Sequence, residues 1–280
     1  MGIRLFADLA LLAVTAVWGA TFVIVKEAIS SYPAFSFLSL RFALAVFSFL
    51  PLLLSDKNPI RREELKAGLL VGFFLFAGYA FQTFGLKFTT ASKAGFITGL
   101  SVVIVPIFSA IFLRQNPSGK VWVGATLAAC GLALLSLRGS LIPSFGDTLV
   151  LACAVAYAAQ IVALGKFAPQ MRTFPLAFAQ LLTVMLLSFA LALAFERPIP
   201  MPGSRVMWAV LFTGIPATSL AFGVQTFAQK RTPPSHAALI FSTEPVFAAL
   251  FAFLVAGETL GPREIAGCLL IVAAMILAEA

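Results

Sequence analysis

Ten stretches of nearly unbroken apolar residues run along the chain, near 7 to 26, 34 to 54, 66 to 86, 92 to 113, 119 to 137, 146 to 165, 174 to 195, 205 to 227, 235 to 256 and 262 to 279. Each is about twenty residues long, enough as a helix to cross about 30 Å of hydrocarbon. The runs are continuous and lack the period of two that marks the strands of a membrane barrel, so they predict helices. Short turns divide them, carrying Ser30-Ser31-Tyr32-Pro33, Asp56-Lys57-Asn58-Pro59, Asn116-Pro117-Ser118-Gly119, Arg197-Pro198 through Pro202-Gly203, and Gly261-Pro262. The pattern predicts an all-α integral membrane protein with ten transmembrane helices and no room for a soluble domain.

The same polar positions recur. Gln82-Thr83-Phe84, with Lys87, Thr89, Ser92 and Ala94, returns 143 residues later as Gln225-Thr226-Phe227, with Lys230, Thr232, Ser235 and Ala237. Val103 with Val246 and Gly124 with Gly267 keep that spacing, while Asp8 with Asp147, Trp18 with Tyr157 and Arg41 with Gln180 match at a spacing of 139. A duplicated chain follows, residues 1–140 holding one five-helix repeat and 141–280 the other. Because five is odd, the second copy enters the membrane from the opposite side. Two inverted-topology repeats are the architecture of secondary transporters, whose substrate site lies near the midplane between the halves.

Composition removes the competing classes. With 61% hydrophobic and 11% charged residues and a mean hydropathy of +1.02, the chain cannot cover a soluble globule. The net charge of +8 comes from Lys and Arg residues scattered between apolar runs, which fits lipid headgroups as partners and not nucleic acid. With the N-terminus cytoplasmic, eleven Lys and Arg residues fall on the cytoplasmic side and seven on the other, so both termini are expected inside. The first run follows only Arg4 and is too long for a signal-peptide core, so it is expected to remain as a spanning helix. Cys130, Cys153 and Cys268 lie singly inside apolar runs and read as packing residues. There is no Walker A sequence, HExxH or CxxC pair, and the single His236 leaves no Ser/His/Asp set. Neither a cofactor nor a metal is expected, and the chain is not expected to be an enzyme.

Three stretches carry a family resemblance: Ala16-Val17-Trp18-Gly19-Ala20-Thr21-Phe22; Phe81-Gln82-Thr83-Phe84-Gly85-Leu86-Lys87 running into Ala91-Ser92-Lys93-Ala94; and Glu244-Pro245-Val246-Phe247-Ala248-Ala249-Leu250, followed by Gly257-Glu258-Thr259-Leu260 and Gly267. In both halves and in the right order, the chain resembles the drug/metabolite transporter superfamily in its EamA-type branch. The resemblance implies a 5+5 inverted-repeat carrier of the bacterial inner membrane. Such a carrier exports amino acids or related small-molecule substrates by alternating access, with no ATPase of its own. It further implies a central cavity lined by helices one to four and six to nine, with helices five and ten peripheral. Val102 stands where the first half would match Pro245, with Pro106 four residues on, and Gln115 stands where it would match Glu258.

Ionisable groups in hydrocarbon cost roughly 3 kcal/mol or more each at a helix centre, so each needs a reason. Glu244 reads as a cavity carboxylate that recognises an amine or supplies proton coupling, or as a group satisfying helix backbone opened by Pro245. Arg41 reads as a two-point contact for a substrate carboxylate, as a member of an internal ion pair, or as a side chain snorkelling to headgroups. Trp18 and Tyr157 could stack on a substrate or pack helices. Gln82 and Gln225 must face protein or a wet cavity and sit toward opposite helix ends, as gate or rim positions. Tyr79, one turn before Gln82, shares its face, and Gln160 and Gln180 follow by the same argument. His236 reads first as a packing or solvated group; with Lys230 and Arg231 it is the one cluster a lipid-modifying enzyme could use. Small residues at Gly124, Ala128 and Gly131, and at Gly95 and Gly99, could permit close helix contact, a homodimer included.

Overall fold

A computed structural model describes residues 2–55, 58–136, 144–256 and 261–279. In chain order the helices are α1 Gly2–Gly19, α2 Thr21–Ser31, α3 Ala34–Ser55, α4 Arg62–Gly85, α5 Ala91–Gly99, α6 Ser101–Leu113, α7 Gly119–Ser136 and α8 Phe145–Phe167. They continue as α9 Thr173–Phe195, α10 Ser204–Gly214, a π-helical turn Ile215–Leu220, α11 Ala221–Ala228, α12 Pro234–Phe241, α13 Glu244–Ala256 and α14 Pro262–Glu279. No strand occurs among the described residues.

Among the described residues, seven segments are long and apolar enough to cross a membrane: Gly2–Ser31, Ala34–Ser55, Arg62–Gly85, Ala91–Leu113, Phe145–Gln170, Thr173–Phe195 and Ser204–Ala228. The chain is thus a multi-span, all-helical membrane protein. The other expected crossings do not meet that length test as unbroken described helices. Gly119–Leu135 is apolar but shorter, and the apolar run near 235 to 256 is split where α12 ends at Phe241 and α13 begins at Glu244-Pro245. Arg138, Lys57 and the Gly257 to Leu260 stretch, all used in the sequence reading, lie outside the described residues.

Packing follows a regular scheme. Helix α3 lies against α9 and α10, α4 against α8 and α9, α1 against α11, α12 and α13, and α7 against α14. The α7–α14 contact is close because a Cβ on Gly131 would lie 2.7 Å from the Gly267 carbonyl, and one on Gly267 2.7 Å from the Gly131 carbonyl. The small-residue face of α7 is therefore covered by α14 of the same chain, which removes that face as a homodimer contact. Large apolar side chains such as Leu54, Phe195, Trp208 and Leu254 are exposed, as expected of a surface solvated by acyl chains.

Polar clasps close both ends. On the N-terminal face Glu64 accepts from the Arg172 backbone N–H at 3.2 Å, from Nε at 2.8 Å and from Nη2 at 2.7 Å, tying the start of α4 to the start of α9. On the opposite face Glu196 accepts from the backbone N–H groups of Phe35 at 3.0 Å and Ser36 at 2.7 Å, capping α3 from the end of α9. In each case a carboxylate takes up N–H groups that a helix start leaves without intrahelical partners. A second pair joins the residues spaced by 139 and 143 in the sequence. Asp8 accepts from Thr232 Oγ1 at 2.6 Å beside His236, and Asp147 accepts from Thr89 Oγ1 beside Lys93 at 3.3 Å.

Candidate functional site

A cavity in the middle of the bundle is lined by residues of α1 to α6, α8 and α11 to α13, and by none of α7 or α14. Its floor is built by close helix approaches. At Gly19 a Cβ would meet the Ala248 backbone nitrogen at 2.8 Å, so only glycine lets α1 lie on the start of α13. That approach seats the Trp18 ring 5.4 Å from Phe241 and 5.5 Å from Phe222. At Gly78 a Cβ would lie 2.2 Å from Cε1 of Tyr157, so α4 can pass directly over that ring.

All eight residues expected to face a cavity, Trp18, Arg41, Tyr79, Gln82, Tyr157, Gln160, Gln225 and Glu244, stand on this one wall. Helix α9 contributes none of the wall, and Gln180 lies behind it, fully buried and accepting from Gln160 at 3.3 Å. The free space available to water centres is about 80 Å³, room for a few waters in the present arrangement.

Arg41 does not snorkel. It is 3% exposed, its Nε donates to Thr218 Oγ1 at 2.7 Å and its Nη2 to the Tyr79 hydroxyl at 3.1 Å. The guanidinium carbon sits 4.8 Å from the Tyr79 ring centroid, a cation–π contact that offsets part of its desolvation. The π turn makes this possible. Pro216 cannot donate to the helix ladder, the turn widens, and Thr218 Oγ1 donates to the Thr213 carbonyl at 2.7 Å while accepting from Arg41. The same turn presents the Ala217 carbonyl to Trp18 Nε1 at 2.8 Å, so the indole N–H is held by the protein and is not available to a solute. Thr218 was missed in the sequence, where Pro216 is the one visible sign of the turn.

Glu244 does not satisfy the backbone opened by Pro245. At that break Ser242 Oγ donates to the Leu239 carbonyl at 2.6 Å and Thr243 Oγ1 to the Ile240 carbonyl at 2.7 Å. The Glu244 carboxylate stands on the cavity wall with no hydrogen bond or ion pair to the described residues. Gln82 is half-buried and Gln225 is buried, so Gln225 is not at an open rim. Gln82 donates to Thr98 at 3.1 Å and accepts from the Tyr157 hydroxyl at 3.4 Å, and Gln225 is 1% exposed. His236 is buried, 3.9 Å from Asp8.

A sequence model of the EamA-like transporter family matches residues 5–137 and again residues 144–279. The chain is 36% identical over 274 residues to an uncharacterized transporter of Archaeoglobus fulgidus, covering 98% of this chain and 86% of that one. The chain belongs to the EamA-like transporter family. Other relatives are more distant: an uncharacterized transporter of Bacillus subtilis, YoaV, is 29% identical, covering 94% of this chain and 93% of its own. The uncharacterized inner membrane transporter YedA of Escherichia coli is 25% identical, covering 96% and 89%. One crystal structure shares the fold, with a TM-score of 0.82 at 21% identity, covering 97% of this chain and 96% of the other. The cavity lies between helices of the two matched segments.

Proposed function

We propose that this EamA-like transporter exports small amphoteric solutes, with amino acids as the class, by alternating access through the central cavity. The observation that carries this reading is that Arg41 and Glu244 stand on the wall of one central cavity. Arg41 spends two of its five N–H donors on Thr218 and Tyr79, leaving three for a carboxylate. Glu244 has no hydrogen bond or ion pair among the described residues and is of the right sign for an ammonium. Tyr79, Tyr157, Phe222 and Trp18 supply an aromatic wall for the solute's apolar part.

The reading includes ten transmembrane helices in two inverted five-helix repeats, 1–140 and 141–280, with both termini cytoplasmic. Three observations support it: the double family match, the Asp8–Thr232 and Asp147–Thr89 clasps at opposite faces, and the way each contact has a mate. Thus α4 with α8 mirrors α11 with α1, and α4 with α9 mirrors α10 with α3. Such halves can rock about a shared site. Glu244 also provides a group through which proton coupling could run.

Uptake into sealed proteoliposomes of labelled amino acids, nucleosides and cationic drugs tests the proposal. Saturable amino-acid transport is expected; transport of none of these under any imposed gradient overturns it. Transport indifferent to a pH gradient, with Glu244→Gln fully active, removes the proton-coupling component.

A further inference from the structure

Behind the cavity wall a chain of amides runs through α8, α9 and α11, and its hydrogen-bond direction is fixed at both ends. At one end Gln229 Nε2 donates to the Ile161 backbone carbonyl at 3.0 Å. A carbonyl only accepts, so Gln229 must turn its oxygen toward Gln225, and Gln225 Nε2 donates to it at 3.0 Å. At the other end Thr226 Oγ1 donates to the Phe222 backbone carbonyl at 2.7 Å and so accepts from Gln180 Nε2 at 3.0 Å. Gln180 Oε1 then accepts from Gln160 Nε2 at 3.3 Å, and Gln160 Oε1 accepts from Gln225 Nε2 at 3.3 Å. Both lines converge on Gln225, whose NH₂ gives away both protons. Reversing its amide would set an oxygen against two oxygens, so the assignment does not depend on how the amide was drawn.

Gln225 Oε1 is left with no partner among the described residues. The residue is 1% exposed and lies on the cavity wall. A buried acceptor without a donor is costly and rare enough to require an explanation. Its repeat mate lacks this feature, since Gln82 has both amide ends engaged, with Thr98 and Tyr157. We propose that Gln225 Oε1 is a donor-reading subsite of the cavity, reserved for an N–H of a cationic amine. The assignment rests on the central cavity being the solute site, as proposed above. It gives Gln225 a specificity role separate from charge: Glu244 senses a cation of any kind, while Gln225 distinguishes one that carries N–H groups from one that does not.

The probes are n-butylammonium and butyltrimethylammonium, equal in charge and different in N–H donors, and the readout is thermal stabilisation of the purified, detergent-solubilised protein. In the wild type, half-maximal stabilisation is expected at an about tenfold lower concentration of n-butylammonium. Gln225→Met removes the acceptor and is expected to bring the two probes within about threefold. Butyltrimethylammonium, which makes no use of Oε1, is expected to stabilise Gln225→Met at a concentration within about threefold of that for the wild type, which guards against misreading a misfolded variant. Equal stabilisation by both probes in the wild type, as when a water alone serves Oε1, overturns the proposal. So does a preference that survives in Gln225→Met. If n-butylammonium is preferred but proteoliposomes carry no amino acid, the transport reading fails and the subsite stands.

Discussion

Gly78→Ala is a one-carbon change whose consequence can be worked from the geometry. The added Cβ would lie 2.2 Å from Cε1 and 2.3 Å from Cδ1 of Tyr157, against an ordinary carbon–carbon contact of about 3.5–4.0 Å. The ring must therefore retreat by more than about 1 Å, yet it is held by its 3.4 Å hydrogen bond to Gln82 and its edge-on contact with Tyr79, centroids 5.6 Å apart. Overpacking of this kind costs about 1–3 kcal/mol, which in a chain of this size lowers Tm by about 2–6 °C. The assay is thermal unfolding of purified protein as a double-mutant cycle with Tyr157→Ala. Removing the ring costs about 3–5 kcal/mol by itself, but it empties the space the new methyl needs. Gly78→Ala should then be near neutral in that background, giving a coupling of about 1–3 kcal/mol. Additivity of the two changes within about 0.5 kcal/mol would show that α4 does not cross α8 at this ring.

Other changes probe the clasps and crossings. Glu64→Ala leaves Arg172 and the starts of α4 and α9 without their shared carboxylate, and should cost about 3–5 kcal/mol by thermal unfolding; a loss below about 0.5 kcal/mol would refute the clasp. Gly267→Leu drives a side chain into the Gly131 carbonyl and should abolish accumulation of folded protein, read by size-exclusion profile, whereas Gly95→Ala, whose Cβ meets nothing within 4 Å, should leave the profile unchanged. Thr218→Val removes the acceptor for Arg41 Nε while keeping shape; it should weaken amino-acid affinity about tenfold through a misplaced guanidinium, and unchanged affinity would show that the π turn does not position Arg41.

Much of the site was legible because hydrocarbon tolerates no idle polar group. That rule alone sends Gln82, Gln225, Tyr79 and Glu244 inward, and they do share a wall. It does not tell which polar neighbour each will find. Arg41 lies close enough to a helix end to reach headgroups, and only the three-dimensional placement of Thr218 and Tyr79 shows that it turns inward. The glutamine chain joins residues up to 68 positions apart, with no local spacing to announce it. The small-residue face of α7 was visible, but its partner was not: sequence cannot distinguish a helix of the same chain from one of a second copy. The residues matched at spacings of 139 and 143 were visible in the sequence, and Asp8 with Thr232 and Asp147 with Thr89 form two clasps.

The central claim is that Arg41 and Glu244 together define an amphoteric site. Uptake of labelled L-amino acids into sealed proteoliposomes, compared for the wild type, Arg41→Gln and Glu244→Gln, tests it most directly. The account predicts saturable wild-type uptake that is competed by unlabelled amino acids at concentrations at least about tenfold lower than by their decarboxylated amines, and uptake reduced at least about tenfold in each variant. Wild-type rates in both variants, or equal competition by amines lacking the carboxylate, would contradict it.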